Sequence, residues 1–159
     1  MRKIMINQTA ENILSSELNF LDLEQLAQVE FTSECLEHPV ESALLLTEDL
    51  GLGWQAASGG EQTIRLVFDQ PCTIEHIFLV FDEQQQSRTQ EFVLFWLMDN
   101  ASSYQEVLRQ QYHFSPPDTT REVEHYEVRL NQLKALELRI IPDISGGDAC
   151  ATLKRLRLA

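Results

Sequence analysis

The alternation of apolar and polar positions is strongest between Gly59 and Phe81. Ile64, Leu66 and Phe68 alternate with Thr63, Arg65 and Val67, which puts one set of side chains on each face of a strand. After the turn-forming Asp69-Gln70-Pro71, Ile77, Leu79 and Phe81 share one face. Phe78 and Val80 make the other face apolar as well, the pattern of a strand covered on both sides. The same reading predicts strands at Val29–Thr32, 62–68, 73–82, Phe92–Met98, Tyr104–Phe114, Glu122–Leu130, Ala135–Ile141 and Thr152–Leu158.

Between these runs lie turn and loop signals. Pro39–Leu46 reads as a short helical or irregular segment, and Leu50–Gly60 as a glycine-rich connection carrying Trp54. Gln84-Gln85-Gln86-Ser87 is a polar loop. Ser115-Pro116-Pro117-Asp118 cannot be regular structure, because proline lacks a donor and restricts its neighbour. Ala10–Ala27 has helical spacing in places, so residues 1–27 are assigned to a short N-terminal arm with one or two helical turns. Residues 28–159 then form one domain, an all-β antiparallel sandwich.

The chain has 159 residues, enough for one hydrophobic core. Its longest apolar run, Phe92–Met98, falls far short of the ~20 residues of a membrane helix, and the N-terminus lacks the apolar centre of a signal peptide. Cys35, Cys72 and Cys150 are odd in number and follow no CxxC spacing. They read as reduced thiols of a cytoplasmic protein.

Net charge is −13 and unevenly spread. Between Ile4 and Ile64 there are eleven carboxylates and no Lys or Arg. Such a surface repels phosphate backbones and anionic lipid, so neither nucleic acid nor membrane is an expected partner.

The order of several segments resembles the discoidin, or coagulation factor 5/8 type C, domain among the galactose-binding-like jelly rolls. The resemblance is carried by Thr32-Ser33-Glu34, Ala43-Leu44-Leu45, Gly53-Trp54, the two runs Gln62–Phe68 and Ile74–Phe81, Leu136–Ile140 and Ala151–Leu158. It covers the chain from about Val29 to the end and implies a jelly-roll sandwich of the galactose-binding-like type. Many extracellular members tie their ends with a disulfide, and no suitably placed cysteine pair exists here. The likeness is to uncharacterised bacterial intracellular proteins of this type.

No GxSxG, HExxH, P-loop or GxGxxG motif is present, and enzymatic activity is not expected. No cofactor or metal ligand set is assigned. His113 and His125 flank the proline loop and are the pair placed to approach one another across a hairpin. Asp143 and Asp148 bracket Ser145-Gly146-Gly147, a spacing that suits turn caps and glycines of positive φ better than a calcium loop. Relatives of this type sometimes hold a structural calcium near their N-terminal loops, where Glu34, Glu48 and Asp49 stand here.

The expected function is a binding module for a saccharide or similar polar small ligand, taken by loops at one end of the sandwich. Sugar sites pair an aromatic platform with polar hydrogen-bonding groups. Trp54 and Gln55, Arg88, and the group Tyr112, His113 and Arg121 are the candidates. Trp54 has a rival role as a core anchor, and Arg88 could pair with Glu91 or Asp82 at the surface instead. The alternative function is a protein–protein interaction module in an intracellular complex, supported by the acidic N-terminal third.

Overall fold

The computed structural model describes residues 18–46 and 51–159. Its elements are α1 (Leu23–Leu26), β1 (Ala27–Phe31), α2 (Glu41–Leu44), β2 (Trp54–Gly59), β3 (Gln62–Asp82), β4 (Arg88–Met98), β5 (Gln105–Phe114), β6 (Arg121–Ile141), β7 (Cys150–Leu153) and β8 (Arg155–Leu158). Most of the expected arm, with Glu48 and Asp49, lies outside the described residues. The part that is described contributes the single turn α1, whose Leu23 is buried in the core.

The architecture is an antiparallel β-sandwich organised by two long strands. β3 and β6 have 21 residues each and pair on both sides of an irregular stretch between Val67 and His76. A straight strand of that length would extend about 70 Å, and irregularities of this kind bend it. The first half of β3 lies in a layer ordered β1-β3-β6-β4-β5. Its second half takes β8 as a neighbour, and β2 pairs with β7 alongside. The core-facing residues of β3 are Ile64, Leu66 and Phe68, then Ile77, Leu79 and Phe81. They change from even to odd positions across the irregular segment.

Two boundaries differ from the sequence reading. Asp69-Gln70-Pro71 does not reverse the chain but sits within β3, and Leu130 to Ala135 likewise lies within β6. Pro71 cannot donate to a ladder, and it falls where the β3–β6 pairing is interrupted between Val67 and Cys72. The matching irregularity on β6 includes Gln132, which adopts φ 55°. The two strands therefore bend together and stay paired. The connection 50–60 also contains strand β2, so Trp54 opens a strand instead of decorating a loop.

Candidate functional site

The site is built where β2, the β3–β4 turn and β7 meet. Gly53 has φ 72°, and a Cβ there would lie 2.8 Å from the Leu153 carbonyl oxygen. Glycine thus permits the close approach that pairs Trp54 with Leu153 and Gln55 with Thr152. Trp54 turns inward, 1% exposed, and its indole N–H donates to the Ser33 carbonyl at 3.0 Å. Successive side chains on a strand point to opposite faces, so Gln55 turns outward.

Gln55 lines a concavity of about 360 Å³ with Asp82, Glu83 and Gln84–Gln86 from the end of β3 and its turn, and with Asp148, Cys150 and Thr152. A smaller hollow of about 70 Å³ adjoins it, sharing Gln55, Asp82 and Thr152 and adding His38, Leu52, Leu153 and the edge of the otherwise buried Trp54. Lys154 lines this hollow too, but its ammonium donates to the Gly51 carbonyl.

Arg88 sits close to this concavity and is bonded to two of the residues that line it. Core-facing positions on β4 are Arg88, Gln90, Phe92 and Leu94, so alternation drives the guanidinium inward. Its Nε donates to Glu83 Oε1 at 2.6 Å. Nη1 donates to the Pro142 carbonyl at 2.9 Å and to Gln90 Oε1 at 3.2 Å. Nη2 donates to Thr152 Oγ1 at 3.2 Å, and the Thr152 hydroxyl donates in turn to the Asp82 carbonyl. The Phe114 ring packs 4.8 Å from the guanidinium carbon. Arg88 therefore fixes the side chains that shape the concavity.

Beneath this network lies a second buried polar group. Gln90 Nε2 donates to Glu122 Oε1 at 3.2 Å, and Tyr126 OH donates to Glu124 Oε2 at 3.0 Å. Burial, and then the adjoining Glu124 carboxyl, push Glu122 up to about 9, so it stays protonated at neutral pH.

The remaining candidates are dispersed. Arg121 borders the concavity through Asp82, its Nε donating to Oδ1 at 2.9 Å. Tyr112 is half-buried and donates its hydroxyl to the Arg121 carbonyl at 2.8 Å. His113 is exposed on β5, with Nδ1 2.8 Å from Thr89 Oγ1. Neither Tyr112 nor His113 lines the concavity. Trp54 and Arg88 are too deeply buried to present a face to a ligand, which corrects their expected role as direct contacts. Only Gln55 of the expected set lines the concavity itself. Asp82, Glu83, Asp148 and Thr152 were missed, and the polar run Gln84–Ser87 between two apolar strands was the signal that pointed towards them.

Two further expectations are resolved outside the concavity. Asp143 Oδ1 accepts from the Ser145 N–H at 3.0 Å, and Gly146 and Gly147 have φ 85° and 98°, the geometry of a capped turn. His125 meets His76 and not His113, because β6 pairs with β3.

No protein-family model matches the chain, and no curated protein matches it. Among solved structures it is similar to the family 32 carbohydrate-binding module of NanJ from C. perfringens in complex with galactose, with 12% identity and a TM-score of 0.62. That likeness covers 87% of this chain and 96% of the module. A pectin-binding carbohydrate-binding module is 18% identical with a TM-score of 0.58, over 84% of this chain and 90% of its own. CpGH89CBM32-5 from Clostridium perfringens, in complex with GalNAc-beta-1,3-galactose, is 14% identical with a TM-score of 0.59, over 88% and 99%. The chain has the galactose-binding-like jelly-roll fold that these modules share.

Proposed function

We propose that this chain is a non-enzymatic, discoidin-like module that holds a saccharide or similar polar small ligand in the concavity beside Gln55. The observation that carries the reading is convergence. The polar residues Gln55, Gln84–Gln86, Asp148 and Thr152 line one hollow of about 360 Å³. That size falls within the range of small-ligand sites, and the groups are donors and acceptors suited to hydroxyls. The Asp82 and Glu83 carboxylates are each held in an ion pair, with Arg121 and Arg88, which suits a fixed binding wall better than proton transfer.

Among the described residues no aromatic side chain lines the main concavity, and Trp54 borders only the smaller hollow beside it, so recognition in the main concavity rests on hydrogen bonds. With Asp82 and Glu83 paired to Arg121 and Arg88, the Asp148 carboxylate leaves the described lining net negative, which favours a neutral or amino sugar over an acidic one.

The test is a thermal-shift titration with galactose, N-acetylgalactosamine, galactosamine and galacturonic acid, on the parent chain and on Gln55→Ala. At a ligand concentration of about 100 Kd the folded state gains about 2.7 kcal/mol. For a chain of this size that is a rise in Tm of about 5–11 °C. Saturable shifts with a neutral or amino sugar, reduced in Gln55→Ala, support the reading. Absence of any saturable shift, or an undiminished one in the variant, overturns it.

A further inference from the structure

The outer face of the second layer carries a group of side chains separate from the concavity. His76 on β3 lies directly across from Glu127 on β6, and Phe78 across from His125. Residues paired in this way share a face, so both imidazoles and the carboxylate project from the same side of the sheet. His76 Nδ1 and His125 Nε2 are 3.0 Å apart, and one Glu127 oxygen lies within 4.8 Å of both. The group is six residues along β3 from Asp82, about 20 Å from the concavity.

We propose that His76, His125 and Glu127 form a binding site for a divalent transition-metal ion such as Zn2+, Ni2+ or Cu2+. The spacing of the nitrogens is the first reason. Two imidazole nitrogens each about 2.05 Å from one metal stand about 2.9 Å apart at a right angle and about 3.3 Å apart at the tetrahedral angle. The observed 3.0 Å falls between these, so the rings already stand at ligating separation.

Rigidity is the second. The His76 backbone exchanges two hydrogen bonds with Ala159, at 2.8 and 3.0 Å. Phe78 stacks on the His125 ring at 4.3 Å, and Phe20 meets Phe78 edge-on at 5.6 Å. Ligand type is the third: imidazole with one carboxylate suits borderline transition metals, whereas calcium and magnesium take oxygen sets.

In the free protein one of the facing nitrogens must carry the proton of the His–His hydrogen bond. Binding moves that proton to the other nitrogen of the same ring, leaving a lone pair on each facing atom. Glu127 is exposed, which leaves the remaining coordination positions open to water.

The experiment is a calorimetric titration of the full chain with ZnCl2, beside His76→Gln and Glu127→Gln, together with Ni2+ line-broadening of the histidine ring protons in the unmodified chain. The expected results are one saturable site, at least tenfold weaker binding in each variant, and selective broadening of His76 and His125. The exposed position of Glu127 makes its variant informative even where His76→Gln disturbs folding. Absence of saturable binding, affinity unchanged in Glu127→Gln, or equal broadening of His38, His76, His113 and His125 overturns the proposal.

Discussion

Replacing Arg88 with Met tests whether the residue holds the concavity in shape. The substitution keeps an unbranched apolar stem while removing every donor. The Arg88 side chain is wholly buried and donates four hydrogen bonds, to Glu83, Gln90, Pro142 and Thr152. Its loss leaves the Glu83 carboxylate, only 11% exposed, with the Gln85 N–H still donating to it, and takes the Arg88 donor from the buried Pro142 carbonyl. Removing one partner of a buried ion pair costs about 3–5 kcal/mol, because the remaining charge keeps its desolvation penalty. A chain of this size would lose about 6–20 °C in Tm. Urea denaturation followed by far-ultraviolet circular dichroism measures the change, with the slope checked to confirm that the unfolded reference is unaltered. The same variant should lose saccharide-induced stabilisation, since Glu83 and Thr152 are no longer fixed. A loss below about 1 kcal/mol would refute the reasoning, placing Arg88 among weak, solvent-screened pairs.

Trp54→Ala should destabilise the fold by about 3–5 kcal/mol through a core cavity, whereas Gln55→Ala should stay within about 0.5 kcal/mol; chemical denaturation separates the two. Glu122→Gln should flatten the pH dependence of stability. The folded-state pKa of Glu122 is raised from 4.5 to about 9, so its stabilising contribution is complete below pH 4.5 and declines as pH rises towards 9. Glutamine needs no such proton, keeps the acceptor for Gln90, and should raise stability at pH 8 by about 1–3 kcal/mol relative to the parent. Denaturant midpoints at pH 5 and pH 8 measure it, and equal parent and variant slopes against pH would contradict the assignment.

Strand content was legible in the sequence because alternation is a local property. Ile64, Leu66 and Phe68 announce a buried face without reference to any partner, and the segment resemblance carried this to the jelly roll. Arg88 was harder to place. The following apolar run, Phe92–Met98, shows no alternation, so the phase that points Arg88 inward cannot be read from it. Trp54 fell in a glycine-rich stretch whose strand character depends on pairing with β7, about a hundred residues later.

The sequence by itself determined the β class, the apolar faces and the polar turn at Gln84–Ser87. Tertiary structure alone decided which chemistry was assembled. The concavity joins β2, β3 and β7, and the His76–His125 pair joins residues 49 apart. Both depend on strand pairing, β2 with β7 and β3 with β6, since register fixes which side chains share a face, and register is set between strands and not within them.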